Sequence, residues 1–427
     1  MKFSLFITSF LKSKGIYVFT SIVLTKLISF AISYIAIRLI LKDTFGDITY
    51  ANSIISFVVP FMGMGAFQGL IRFGARLKTE QQKYILFNYA LKRGLILSVL
   101  LSFLLGAAIP FLTSNLPGSL FYFKILVFQI IGLTLFEFIK NYFRLIHKNH
   151  LYAIWDIIYY ASLLLITILS IYFYGAYGYV FALVITPFII SIIIIIKYKL
   201  LKFTKTPLDA SINLKSFWKY GLIVSAGAVS SQFLYGIDIV MLGNIIKDSG
   251  ELASYKASGL IPFSLRFVPA IFITTDYIKF AENEKNRLYL SQYFLNYIKI
   301  FLPLSIIMIF FFYLTSSFWG VFFGDGYESV GDLIWIFSIS ISAGFILRIP
   351  LGNILTATDW AQINAYISIG SLILNIILNY ILILEYGIWG AAWATAISMW
   401  VSGFITLIIF VLYLQKKTLK TQREQIY

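Results

Sequence analysis

The sequence has no cysteine, only two histidines and nine prolines, and just 18 acidic side chains among 427 residues. Without cysteine there is neither a disulfide framework nor a thiolate metal or redox centre. Charged residues make up 12% of the chain, about half the roughly 25% of soluble domains. Hydrophobic residues reach 60% and the mean hydropathy is +0.87. So few charges cannot coat a water-facing surface of this size, and so apolar a chain does not stay disordered. Long polar stretches are also missing: the longest, Lys199 to Lys215, is too short for a soluble domain. No phosphate-cradling GxxxxGK motif occurs. The net charge of +16 would suit nucleic acid if it were clustered. Instead the basic residues flank apolar segments, where anionic lipid headgroups and the membrane potential act. No nucleic-acid partner is expected. The composition is that of an all-α polytopic membrane protein.

A helix crossing the hydrocarbon layer needs about 20 mostly apolar residues. Twelve such windows are predicted, near 16–40, 48–72, 85–112, 119–146, 152–173, 177–197, 216–245, 252–280, 290–316, 328–356, 361–384 and 388–414. Turn and charge signals separate them, such as Asn115-Leu116-Pro117-Gly118 and Gly324-Asp325-Gly326. Lysine and arginine concentrate in alternate connections: Lys2, Lys12 and Lys14; Arg72, Arg76 and Lys78; Lys140, Arg144 and Lys148; Lys197 to Lys219; Lys279, Lys285 and Arg287; and the tail from Lys416. The opposite connections are mostly acidic, with Asp43, Asp47, Asp248, Glu251, Asp325, Glu328 and Glu385. The positive-inside rule then puts both termini in the cytoplasm and makes the number of crossings even. Residues 3–11 read as an interfacial helix rather than a cleaved leader, because Lys12-Ser13-Lys14 follows them where small residues would be needed.

The chain repeats itself. Tyr174-Gly175-Ala176-Tyr177-Gly178-Tyr179-Val180-Phe181-Ala182 returns 212 residues later as Tyr386-Gly387-Ile388-Trp389-Gly390-Ala391-Ala392-Trp393-Ala394, and Thr186 returns as Ser398. Each copy opens the last window of a six-window half. Duplication predicts two six-helix lobes, residues 1–205 and 206–427, inserted the same way up around a central cavity.

The stretch Leu374-Asn375-Ile376-Ile377-Leu378-Asn379-Tyr380, continued through Tyr386 to Thr395 and Ser398, resembles the N-x-x-L-N … YGxxGAAxAT…S pattern of Wzx-type polysaccharide repeat-unit flippases. These share a superfamily with the multidrug/toxin extrusion transporters and the lipid II flippase. Phe45-Gly46-Asp47 with Tyr50-Ala51 is similar to the family's segment before the second span. Asp238, Leu242-Gly243 and Tyr255 are similar to its segment at spans seven and eight. The N-terminal half lacks the paired asparagines. The resemblance implies a two-lobed twelve-helix fold whose cavity borders the first, second, seventh and eighth helices. It also implies outward flipping of oligosaccharide units linked to undecaprenyl pyrophosphate, across the cytoplasmic (inner) membrane, for O-antigen or related polysaccharide. A polysaccharide polymerase and chain-length machinery would be its partners, beside the lipid-linked substrate and membrane lipids.

Polar residues inside apolar windows are costly, so each needs a wet cavity or a partner. Lys26 adjoins a stripe of Ser21, Thr25, Ser29 and Ser33; Arg72 follows Gln68 by one turn; Arg266 follows Ser258 and Pro262; Arg348 follows Ser340 and Gly344, with Pro350 expected to kink that helix. The eleventh window carries Asn364, Ser368, Ser371, Asn375 and Asn379. One reading is a cation-lined cavity for an anionic substrate, since guanidinium and ammonium donors converge well on pyrophosphate. Its candidate contacts are Lys26, Arg266, Arg348, Arg72, Asn375 and Asn379. The alternatives are snorkelling to the cytoplasmic interface, preferred for Arg72, and helix-joining hydrogen bonds, preferred for Asn375 and Asn379. Asp238, which follows Ser231 and Tyr235, and Glu137 are candidates for ion coupling. Against that role, Glu137 has Lys140 at i+3 for a structural salt bridge, and Asp238 could anchor its helix at the outer surface. Asp156 and Asp276 read as interfacial. His147 and His150 lack a third ligand, so no metal is expected. Neither a cofactor nor a catalytic constellation is expected. Gly63, Gly65 and Gly69 allow close packing or flexing of the second span. A drug/cation antiporter of the same fold and a membrane enzyme of the same pathway are the alternatives. Repulsion by a cationic cavity counts against the first, and the short outer loops count against the second.

Overall fold

A computed structural model describes residues 15–200, 212–358 and 360–415, and the side chains of these apart from 15–22, 230, 231, 234, 235, 270, 271, 274, 275, 278 and 361. The interfacial helix expected at 3–11, the basic residues Lys202 and Lys205, and the tail from Lys416 lie outside the described residues. So do the side chains of Ser21, Ser231 and Tyr235.

Among the described residues every regular element is helical, and helix occupies each of the twelve apolar windows. In chain order these are α1 Gly15–Leu39, α2 Lys42–Val58, α3 Ala66–Gly74, α4 Glu80–Leu112, α5 Ser119–Leu126, α6 Gln129–Leu145, α7 Asn149–Tyr198, α8 Leu214–Ile245, α9 Ser249–Ser264, α10 Phe267–Glu282, α11 Arg287–Leu314, α12 Ser316–Phe323, α13 Val330–Ala343, α14 Ile349–Thr356 and α15 Ala361–Gln415. Among the described residues, seven helical stretches are long and apolar enough to cross a membrane. Two of them, α7 with 50 residues and α15 with 55, are far longer than one crossing.

Both long helices fold back at a glycine. Gly175 has φ 55° and ψ −135°, and Gly387 has φ 57° and ψ −132°. This region is open essentially to glycine alone, and a helix cannot continue through it. Three residues further on, each chain returns against itself. A Cβ on Gly178 would stand 1.9 Å from the Ser170 carbonyl oxygen, and one on Gly390 would stand 1.9 Å from that of Leu382. Ser170 and Leu382 are again 212 positions apart. The sequence repeat is thus a repeat of backbone geometry, two helical hairpins closed by the same turn.

Two compact units arise by close approach, residues 24–253 and residues 254–427 with 1–23. In the first, the second span is broken. A 3₁₀ stretch, Val59–Gly65, separates α2 from α3, with Gly63, Met64 and Gly65 all at positive φ. Backbone donors freed by the break find partners: Gly63 N–H donates to Ser98 Oγ at 2.8 Å. Tyr50 donates to the Leu112 carbonyl at 2.9 Å and accepts from Asn244, which in turn accepts from Asn115 at 2.8 Å. Ser249 donates to Asp47 at 2.6 Å. These bonds tie the ends of α2, α4, α8 and α9 into one unit. Close approach therefore divides the chain elsewhere than the sequence repeat does.

In the other unit, the core runs through Tyr293, Tyr297, Phe301, Phe345 and Leu351. A π-helical turn, Gly344–Arg348, joins α13 to α14 just ahead of Pro350. Proline lacks an N–H and crowds the carbonyl four residues earlier, which favours such a bulge. Tyr297 O–H donates to the Phe345 carbonyl inside it at 2.9 Å. Trp400 Nε1–H donates to the Ile339 carbonyl at 3.0 Å.

Candidate functional site

Several polar residues of the spans join neighbouring helices, and Glu137 is one of them. Lys140 Nζ lies 2.7 Å from Glu137 and 2.9 Å from Asp156, so the expected i+3 pair is present and a third member joins it from α7. The ammonium also lies over the Phe136 and Tyr152 rings, at 5.2 and 5.1 Å. Asn141 donates to Glu137 as well. Asp156 thus serves as a bridge between helices. Asp276, also expected at an interface, is buried; it pairs with Lys279 at 2.5 Å and accepts from Tyr293 O–H at 3.0 Å.

Arg348 leaves the π-helical turn half-buried and donates to Asn364 Oδ1 and Ser368 Oγ, each at 2.6 Å. Planar donors that diverge by a fixed angle suit two acceptors one helical turn apart. The acceptors match the first half of the chain: Asn364 and Ser368 stand 212 positions after Tyr152 and Asp156, the residues Lys140 touches. The two cations are 208 positions apart, one helical turn short of the repeat. Each half therefore fixes its hairpin to the preceding span with a basic side chain, through an ion triad in one case and neutral acceptors in the other.

Asn375 and Asn379 are both buried on α15. Asn379 Nδ2 donates to Asn375 Oδ1 at 3.1 Å, and Asn375 Nδ2 donates across the hairpin to Thr395 Oγ1 at 3.4 Å. Arg72, in the last turn of α3, is exposed and lies over the Tyr220 ring at 4.0 Å.

The fold formed by these elements has solved counterparts. A multidrug resistance MATE family transporter of the MOP superfamily, in an inward-facing conformation, aligns with 92% of this chain and 94% of its own, at TM-score 0.74 and 16% identity. The lipid II flippase MurJ in an inward closed conformation gives TM-score 0.64 and 19% identity over 91% of this chain and 86% of that one. A MOP superfamily transporter from Pyrococcus furiosus, reported with reverse polarity of its binding pocket, gives 0.61 and 15% over 92% and 95%. This chain has the fold of the MOP superfamily transporters. No protein-family model matches the sequence, and no curated protein does.

Within that fold, the remaining candidates are Lys26, Arg266 and Asp238. Lys26, in the middle of the 25-residue apolar α1, is exposed, while Thr25 beside it is buried and Ser33 bonds back to the Ser29 carbonyl. Among the described residues Lys26 has no carboxylate partner. Arg266 is half-buried at the break between α9 and α10. Ser258, one of the residues grouped with it, bonds locally to the Tyr255 carbonyl. Asp238 is only 4% exposed, seven residues before the end of α8, so it lies inside the helix rather than at its tip. Sequence reasoning missed Lys256, an exposed lysine of α9 between buried Tyr255 and Ala257. Its signal was available: it directly follows the tyrosine of the segment that resembles the flippase family. Lys92, Arg93 and Lys299 are exposed on α4 and α11 and were missed as well.

Proposed function

We propose that the protein flips lipid-linked oligosaccharide units, with undecaprenyl pyrophosphate as the carrier, from the inner to the outer leaflet of the cytoplasmic membrane, by alternating access of its two halves. O-antigen or a related surface polysaccharide is the pathway served, with a polymerase and chain-length machinery downstream. Both termini face the cytoplasm in this reading. The observation that carries it is Lys26: an exposed ammonium, with no carboxylate partner among the described residues, in the middle of an apolar helix. A charge held there at a cost of several kcal/mol calls for a ligand of opposite sign, and a pyrophosphate supplies one. Lys256 and Arg266 offer further cations on α9 and at its end. Arg72, Arg348, Asn375 and Asn379 hold helices together, and Asp238 is the residue offered for proton coupling.

The test is complementation of a strain lacking its repeat-unit flippase. The native chain restores surface polysaccharide. Lys26→Ala abolishes most of it at equal membrane abundance, and Lys26→Arg retains part. Full complementation by Lys26→Ala would remove this assignment. The MATE-like fold keeps drug/cation antiport as the second reading, and the same strain tests it. Export of a cationic dye that persists in Lys26→Ala, with no polysaccharide restored by the native chain, would favour antiport.

A further inference from the structure

A hollow of about 310 Å³ opens in the unit of residues 254–427, walled by Tyr313, Ser316, Asp332, Trp335, Trp389 and Trp393. The helix ends that meet there are the C-terminal turn of α11, the first turns of α12 and α13, and the segment of α15 just past the Gly387 turn. Trp335 meets Trp393 edge-on, with centroids 6.3 Å apart and planes at 89°, and Tyr313 at 5.5 Å and 54°. Tryptophans of a membrane-interface belt point individually toward headgroups. These line one space, and Trp389 and Trp393 are each more than a third exposed.

A carboxylate completes the wall. Asp332 is exposed and has no ion pair or hydrogen bond among the described residues. From residue 300 to 415 the chain carries a single basic residue, Arg348, sixteen positions along the same helical run from Asp332. At 1.5 Å per residue that is about 24 Å away. Asp325 and Glu328 between α12 and α13, and Glu385 just before the Gly387 turn, add negative charge. The negative faces of several rings and one carboxylate together suit an organic ammonium group. The rings attract a poorly hydrated cation, and the carboxylate supplies the counter-charge.

The first half of the chain provides an internal control. At the positions of Trp389 and Trp393 it has Tyr177 and Phe181. Tyr177 is packed by Phe121 and Tyr122 at 5.2 and 5.6 Å, and Leu120 stands 212 positions before Asp332.

We propose that the hollow walled by Tyr313, Trp335, Trp389 and Trp393, with Asp332 at its edge, binds the ammonium group of a small organic cation. The proposal stands independently of the flippase reading. It is tested on the full chain purified in a maltoside detergent, by quenching of tryptophan fluorescence with tetramethylammonium and, as the neutral shape control, neopentyl alcohol. Saturable quenching by the cation is expected, weakened at least tenfold in Asp332→Asn and in Trp393→Leu and unchanged in Phe181→Leu. Absence of saturable binding, equal binding of neopentyl alcohol, or equal binding by both hollow variants would overturn it. Two sources carry such a group, a soluble cation and an ethanolamine headgroup. In nanodiscs of phosphatidylglycerol with and without phosphatidylethanolamine, competition by the latter assigns the site to a headgroup, and its absence assigns it to a soluble cation.

Discussion

At positions 163 and 167 the first hairpin buries Leu163 and Thr167, and 212 residues later the second buries Asn375 and Asn379. The turns that close the two hairpins share their backbone angles to within a few degrees. One hairpin is held by apolar packing, with Thr167 Oγ1 lacking a partner among the described residues; the other has a chain of amides reaching across to Thr395. Their anchors to the preceding span differ in the same manner, an ion triad around Lys140 against neutral acceptors around Arg348. Both halves keep the glycine that this backbone turn requires. The polar contacts that surround it differ between them.

The largest expected effect tests the part held in common. Gly178→Ala and Gly390→Ala each push a methyl group into a backbone carbonyl that cannot swing aside. Each should cost about 3 kcal/mol or more, read as loss of the monodisperse peak in detergent and a lowered thermal midpoint. A tolerant Gly390→Ala beside a disabled Gly178→Ala would break the equivalence of the two turns.

Next in size is the anchor of the first half. Lys140→Met leaves Glu137 and Asp156 facing each other without their cation. Removing one partner of a buried ion group costs roughly 3–5 kcal/mol; side-chain exposures of 29% and 22% for the two carboxylates reduce this to about 2 kcal/mol through solvent screening. Adding Glu137→Gln should recover part of the loss. A double variant no better than the single one would show that packing of the lysine stem, not charge, holds this joint.

A smaller effect addresses the asparagines. Asn375→Leu installs the residue of the first hairpin and removes the bond that Asn379 donates to Asn375, at about 1–2 kcal/mol for a buried polar group losing a bond. The pair Asn375→Leu with Asn379→Thr reproduces the first hairpin at both sites and should regain most of that stability. On the proposed flippase reading, restored polysaccharide should follow stability in both variants. Export lost in a fully stable double variant would instead return the asparagines to the substrate.

Much of this arrangement was legible in the sequence. Apolar length located the spans, and the repeated YGxxG located both turns, because only glycine permits them. The i+3 pair of Glu137 and Lys140 was readable, since both partners share one helix face. The same periodicity marked Arg348 on one helix and Asn364 and Ser368 on another. It could not join them, because which faces meet depends on packing across the whole unit. For the same reason Asp156 and Asp276 read as interfacial, although a lysine from one neighbour and a tyrosine from the other hold them in place. Pro350 and the glycines Gly63 and Gly65 marked both broken helices, but not the 3₁₀ stretch at 59–65 or the π turn at 344–348 as such. Hydropathy is continuous through these windows and carries no information on hydrogen-bond register.

The finest distinction between the two anchors lies in the type of cation each uses. Arg348 reaches two neutral acceptors one turn apart with two arms of a rigid plane. In Arg348→Lys, a single compact ammonium on a flexible stem serves one acceptor well and the other poorly. The loss is then about one charge-assisted hydrogen bond in a half-buried setting, on the order of 1 kcal/mol. The reciprocal change should have the opposite sign. In Lys140→Arg, a fork replaces a point charge between two carboxylates on different helices, and charge-assisted pairs gain from such geometry. The thermal midpoint should therefore hold or rise slightly in Lys140→Arg and fall slightly in Arg348→Lys, with export unchanged in both. Equal losses in both variants would mean that each site is fitted to its own side chain by shape. The analogy between an ionic and a neutral anchor would then fail. Export lost in Arg348→Lys at unchanged midpoint would instead place that guanidinium against the substrate, where exchange of a planar donor for a point charge is felt most.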